Sequence, residues 1–101
     1  MSFKNVEVKK KANVYHDGLV TSRTVLTLSG QKLTLGVMLP GTYRFRPTEP
    51  ERFEITQGRC RVKIADEPWS EHRAGASFTL PPNREFDIEV LELLDYVCYY
   101  G

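Results

Sequence analysis

Apolar residues recur at every second position through most of the chain: Leu33, Leu35 and Val37; Phe53 and Ile55; Cys60, Val62 and Ile64; Phe78 and Leu80; Phe86, Ile88 and Val90; Tyr96, Cys98 and Tyr100. Residues two apart share one side of a β-strand, so each set predicts a strand with one buried face. Charged residues such as Arg59, Arg61, Lys63, Asp87 and Glu89 occupy the positions between, which predicts that the other face is wet. Turn-forming residues punctuate the runs at His16-Asp17-Gly18, Ser29-Gly30-Gln31, Pro40-Gly41, Gln57-Gly58, Asp66-Glu67-Pro68, Ala74-Gly75 and Pro81-Pro82-Asn83. Asp17-Gly18 is the best hairpin turn, because both residues tolerate a positive φ. The run EVLELLDYV at 89–97 has aliphatic residues at helix-like intervals, but its β-branched and aromatic surroundings assign it to a strand.

Many short strands in one small chain predict an all-β fold, and closure into a single antiparallel β-barrel is the simplest way to remove exposed edges. The 101 residues suit one domain, with 1–11 as an N-terminal strand or extension. A core of this size is modest, and pairing with a second copy would add to the buried surface. A formal charge of +1 provides no field for a polyanion, which argues against nucleic acid as a partner. Lys9-Lys10-Lys11 is the densest basic run and fits a solvated strand end.

Cys60 and Cys98 are the only cysteines and both fall inside alternating apolar runs, the setting of packed free thiols in a reducing compartment. Residues 1–20 contain no apolar stretch of the signal-peptide kind, and no segment approaches the roughly 20 apolar residues that span a bilayer. The expected location is the cytoplasm, away from membranes.

The segment GTYRFRPTEPERFEITQG at 41–58 carries Glu51, six residues, then Gly58. That spacing resembles the end of the first of two motifs that mark cupins, small β-barrels that commonly hold a metal through Gly-x5-His-x-His-x3-4-Glu-x6-Gly. Phe45 and Pro47 fall on the histidine positions with the shorter gap, Arg44 and Arg46 with the longer; the first alignment suits an apolar interior better. The second motif, Gly-x5-Pro-x-Gly-x2-His-x3-Asn, is matched by Gly75 and Pro81, with Asn83 for the second glycine, Phe86 for the histidine and Val90 for the asparagine. Asn is among the few residues that visit the left-handed region, so the turn survives the exchange. Every expected imidazole is missing. The two histidines, His16 and His72, have no His or Cys neighbour at ligand spacing, so no metal site and no metal cofactor is expected. What remains is a pocket lined by Tyr43, Phe45 and Phe86, with Glu51 directed inward by its parity with Phe53 and Ile55. Such a lining suits a flat heterocycle or a sugar hydroxyl, although the same aromatics also make a plain core.

Five ordered blocks, ANVYHDGLVTSRTV (12–25), TLGVMLPGTYRF (34–45), EPERFEITQG (49–58), AGASFTLPPNREF (74–86) and DYVCYY (95–100), resemble the small pyrimidine/purine nucleoside phosphorylases. Arg44 and Arg46 stand where that resemblance leads one to expect small or polar residues. It implies a metal-free cupin, dimeric, that uses phosphate as co-substrate to split purine and pyrimidine ribonucleosides into base and ribose 1-phosphate. Within such a reaction Glu51 is expected to stabilise the sugar cation or donate to the base. Tyr96 and Tyr43 would act as hydroxyl donors or sugar contacts, and Phe45 and Phe86 would stack on the base. Arg23, with Ser22 beside it, and Arg84 are the expected phosphate contacts. Two other functions fit the same residues: a cupin that binds a nucleoside or sugar without chemistry, and a metal-free sugar isomerase or epimerase, which would need a His and Tyr pair. Crowded rings in DYVCYY point to a homodimer.

Overall fold

The computed structural model describes residues 1–101 as nine β-strands and no α-helix: β1 (Glu7–Val8), β2 (Asn13–Tyr15), β3 (Val20–Leu26), β4 (Lys32–Met38), β5 (Gly41–Phe45), β6 (Glu51–Ile64), β7 (Ser70–Arg73), β8 (Ser77–Leu80) and β9 (Phe86–Tyr100). All pairings are antiparallel. The two long strands organise the rest. Along its second half, from Leu94 to Tyr99, β9 pairs with β4, and its first half, Phe86 to Val90, pairs with β5. Strand β6 accompanies β9 from end to end, from Glu51 opposite Tyr100 to Ile64 opposite Phe86. Its own outer edge takes β8 in the first half and β7 in the second.

This pairing leaves the sheet open. No backbone ladder joins β1 or β2, at the edge beside β3, to β7 or β8 beside β6, so hydrogen bonds do not make the closure expected from the sequence. The sheet curls instead. Inward side chains from β3, β4, β5, β6, β8 and β9 meet in one core of 14 buried residues, among them Val20, Met38, Phe53, Ile55, Cys60, Ile88 and Leu94. Even-numbered residues of β9 point inward along nearly its whole length, which is why Phe86, Ile88, Val90, Leu94, Tyr96 and Cys98 are all buried.

Gln57-Gly58, a turn signal in the sequence, lies inside an unbroken strand. The register of β6 against β9 shifts three times between Ile55 and Cys60, a β-bulge that moves the inward positions from odd (Phe53, Ile55) to even (Cys60, Val62). Gly58 has φ +96° and an added Cβ would overlap the Leu93 carbonyl, so a glycine is needed there. The other turn signals do separate strands. His16, Asp17 and Gly18 all have positive φ between β2 and β3, and Asn83 has φ 62° before β9.

Strand β4 departs from the expected face. Leu33, Leu35 and Val37 lie on the outer side, where Leu33 is covered by a second small cluster with Val25, Val97, Val6 and Tyr99, and Leu35 stays 40% exposed. The inner positions are Lys32, Thr34, Gly36 and Met38, because β4 supplies polar groups to a cavity there. The outer faces of β6 and β9 carry ion pairs, Arg61 to Glu89 at 2.7 Å, Arg59 to Glu71 at 3.0 Å and Arg44 to Asp87 at 2.8 Å, which keep these faces wet and contribute little stability each.

Candidate active site

One cavity of about 320 Å³ opens at the end of the sheet where β4, β9 and β6 finish or begin, walled by side chains of β2, β3, β4, β6 and β9, by Phe45 at the end of β5 and by the segment 46–49 that follows it. Strand register explains its lining. Ser22 is level with Gly36, Gly36 with Tyr96 and Tyr96 with Ile55, so four neighbouring strands present one rung to the interior. One rung further out lie Thr34, Cys98 and Phe53. At the rim Glu51 faces Tyr100 across the ladder.

Glu51 is the acid of this cavity. Its first cause of perturbation is burial, which disfavours the carboxylate and holds the carboxyl above its ordinary range; Glu49 nearby adds to the rise. Against these act a hydrogen bond from the Cys98 thiol at 3.6 Å to Oε1 and the charge of Lys32. Cys98 keeps its proton, because burial and the adjacent Glu51 push the thiol up to about 12, so it serves as a donor and not as a nucleophile.

Tyr96 is 4% exposed and lines the cavity. Its ring stacks on Phe53, with centroids 5.1 Å apart and planes at 14°. On its other side it lies against Gly36, where a Cβ would come within 2.5 Å of Tyr96 Cζ and Oη. The absence of a side chain at 36 is therefore what admits this ring. Burial raises the Tyr96 phenol well above its usual range, so it stays protonated. Phe45 and Phe86 form the opposite wall and stack on each other at 5.6 Å. Phe86 meets Phe53 edge-on at 6.4 Å, which links the two walls into one aromatic surface.

Glu51, Tyr96, Phe45 and Phe86 are thus brought together. Tyr43 is not among the lining residues: it is buried with its hydroxyl donating to the Leu39 carbonyl at 2.6 Å. Arg23 lies in a separate surface groove beside Gly36 and Asp95, and its Nη1 donates to the Lys10 carbonyl at 2.6 Å. Arg84 is paired with Glu67 at 3.1 Å, also outside the cavity. Phe45 and Pro47, the histidine positions of the shorter-gap alignment, both line it, as does Arg46 of the longer-gap one. Lys32, Thr34, Arg46, Cys98 and Tyr100 also line the cavity, and none of them was named as a site residue from the sequence. Cys98 and Tyr100 share the parity of Tyr96, which is the signal that would have found them. No three His, Cys, Asp or Glu side chains come together as a metal-binding group.

Comparison with known proteins agrees with this architecture. Residues 10–100 match the pyrimidine/purine nucleoside phosphorylase family. The chain belongs to that family. Proteins named pyrimidine/purine nucleoside phosphorylase from Methylobacillus flagellatus and Burkholderia vietnamiensis are 50% and 52% identical to it over 99 residues, covering 97% of this chain and 96% and 93% of theirs. A crystal structure of a protein of unknown function from Acinetobacter sp. ADP1 is 50% identical and superimposes with a TM-score of 0.95, covering 99% of this chain and 98% of its own. The EutQ protein of Clostridium difficile shares the cupin-like fold alone, at 15% identity and a TM-score of 0.69 over 81% of this chain and 68% of that one. As a family member the chain is an enzyme, and no helix in it is long and apolar enough to cross a membrane.

Proposed function

We propose that the protein cleaves purine and pyrimidine ribonucleosides with inorganic phosphate, yielding the free base and ribose 1-phosphate. The observation that carries this is a carboxyl held above its ordinary range by burial at the rim of an aromatic cavity. At about 320 Å³ the cavity lies at the lower end of the roughly 300–1,000 Å³ of small-molecule sites.

The chemistry follows from charge. As the N-glycosidic bond breaks, its electron pair goes to the base nitrogen and C1′ becomes cationic. A phosphate oxygen closes on C1′ from the opposite side, and orientation of the two reactants supplies much of the rate. Protonated Glu51 gives its proton to the departing base and is then reprotonated by the newly formed phosphate monoester, so the proton count balances. Once ionised, the same carboxylate stabilises the sugar cation. The Tyr96 hydroxyl, reaching the cavity from a rigid stacked ring, hydrogen-bonds a ribose hydroxyl. Phe45 and Phe86 hold the base by stacking, a contact that reads no donor or acceptor pattern and therefore accepts both base classes.

The working form in this proposal is a cytoplasmic homodimer. Two unpaired, buried thiols suit a reducing compartment. The outer face of β4 carries Leu35, 40% exposed, beside Phe3, also 40% exposed, and Tyr99, an apolar surface that a second copy would cover.

The decisive assay incubates the protein with uridine or inosine with and without phosphate. Release of uracil or hypoxanthine only with phosphate, matched by equal ribose 1-phosphate, is the expected result. Release that ignores phosphate, or nucleoside binding with no release at high protein concentration, overturns the proposal.

A further inference from the structure

The cavity is lined by two cations that enter no ion pair. Lys32 begins β4 on the inner face, at the level of Tyr100 and Glu51 on the neighbouring strands, and its Nζ stands 4.3 Å above the centre of the Tyr100 ring. Arg46, on the segment after β5, lines the same cavity and also borders a neighbouring groove with Arg44 and Asp87. That segment is tied down at both ends: the Asn83 amide donates to the Pro47 carbonyl at 2.7 Å, and the Gly101 amide to the Pro50 carbonyl at 3.0 Å. Neither Lys32 nor Arg46 belongs to any of the seven ion pairs of the chain. Most other cations are committed elsewhere. Arg44, Arg59, Arg61 and Arg84 are paired with carboxylates, Arg23 and Lys63 donate to backbone carbonyls, and Arg52 covers Tyr99.

We propose that Lys32 and Arg46, which line the same cavity as Glu51, form the subsite for the phosphate co-substrate. The assignment rests on the function proposed above. It moves the anion from Arg23 and Arg84, which lie outside the cavity, to the two cations that line it. A flexible ammonium and a planar guanidinium lining one cavity can hold a tetrahedral oxyanion without a glycine-rich loop or an α-helix N-terminus, neither of which this fold has. Glu49 and Glu51 also line the mouth, and their charge opposes an anion. Phosphate in this position therefore favours the protonated form of Glu51, the form needed to release the base. The coupling is reciprocal, so neutralising Glu51 tightens phosphate binding.

The test uses the full-length protein and inorganic phosphate. Calorimetric titration of phosphate is compared for wild type, Lys32→Ala, Arg46→Ala, the double variant, Glu51→Gln and, as a control on the outer face, Arg59→Ala. In parallel, KM for phosphate and for uridine is measured in phosphorolysis. Loss of one charge-assisted contact is expected to weaken phosphate about tenfold in Kd and KM. The uridine KM and the melting temperature should stay near wild type, because both side chains are exposed and unpaired. Glu51→Gln is expected to bind phosphate at least as tightly as wild type, and Arg59→Ala equally. Phosphate affinity of the double variant within twofold of wild type, or no phosphate binding by the wild type, overturns the subsite. Phosphate binding by the wild type that is lost in the double variant, without turnover of any nucleoside, upholds the subsite and refutes the reaction.

Discussion

Gly36→Ala is the smallest change that strikes both the stability and the site. The added methyl would stand 2.5 Å from Tyr96 Cζ and Oη and 2.6 Å from the Thr21 carbonyl oxygen. Backbone at Thr21 has no easy retreat, since Thr21 pairs with Val37 on one side and Val14 on the other. Tyr96 cannot retreat either, because its far face is stacked on Phe53. One methylene forced into a packed interior costs about 1–3 kcal/mol. For a chain of this size each kcal/mol lowers Tm by about 4–8 °C, so a fall of roughly 4–24 °C is expected by circular dichroism. Turnover should fall as well, since relief of the clash displaces the phenol that faces the cavity. Tyr96→Leu removes the Cζ and Oη contacts, so Gly36→Ala should cost less in that background, a coupling that a double-mutant cycle measures. A Gly36→Ala Tm within about 2 °C of wild type, with unchanged kcat, would refute the close-approach argument.

Four further outcomes follow from the same geometry. Tyr96→Phe should keep near wild-type stability while kcat falls about tenfold or more, the loss of one hydrogen bond to the sugar; equal kcat would remove the phenol from the reaction. Glu51→Gln should be the more stable protein at neutral pH. The folded-state pKa of Glu51 is raised, so the wild type loses stability as pH rises from the unfolded to the folded value, and the gain should vanish below about pH 4.3 in urea midpoints. A variant that is less stable at every pH would contradict this sign. The thiols, pushed up to about 11 at Cys60 and about 12 at Cys98 by burial, should resist a disulfide reagent at pH 8 in the native protein and both react after denaturation; rapid native labelling would show them accessible. Gly58→Ala, forced into a positive φ against the Leu93 carbonyl, should destabilise by at least about 1–2 kcal/mol in chemical denaturation, and a neutral result would mean the bulge is not fixed.

How far the sequence announced this molecule differs from strand to strand. The β9 run was legible because its even positions carry Phe86, Ile88, Val90, Tyr96 and Cys98, and the β-branched and aromatic residues around 89–97 outweigh the helix-like intervals of its leucines. The bulge in β6 was half legible. The switch from Phe53 and Ile55 to Cys60 and Val62 is visible in the spacing, but a glycine between two apolar runs signals a hairpin and a bulge alike, and only the partner strand β9 decides. Strand β4 misleads. Its apolar residues Leu33, Leu35 and Val37 face outward, while the inward set Lys32, Thr34, Gly36 and Met38 is polar or small because it borders a cavity and admits a ring. Of the candidate site residues, Glu51, directed inward by its parity with Phe53 and Ile55, falls in the cavity, and Phe45, Phe86 and Tyr96 fall there with it. Tyr43 shares the inner face yet spends its hydroxyl on the Leu39 carbonyl. Arg23 sits mid-strand in β3 beside inward Ser22, so alternation turns it to the outer face, where the Lys10 carbonyl holds it; Arg84 follows the Pro-Pro-Asn turn, where alternation does not apply, and Glu67 holds it.

The most direct measurement is phosphorolysis of uridine by Glu51→Gln at saturating phosphate, beside its melting curve. The Gln variant should lose about 10²–10⁴ in kcat while melting no lower than wild type at neutral pH, as befits a half-buried acid used for proton transfer and not for folding. Wild-type turnover in a folded Glu51→Gln protein would contradict a role for this carboxyl and with it the assignment of the cavity as the place where the glycosidic bond breaks.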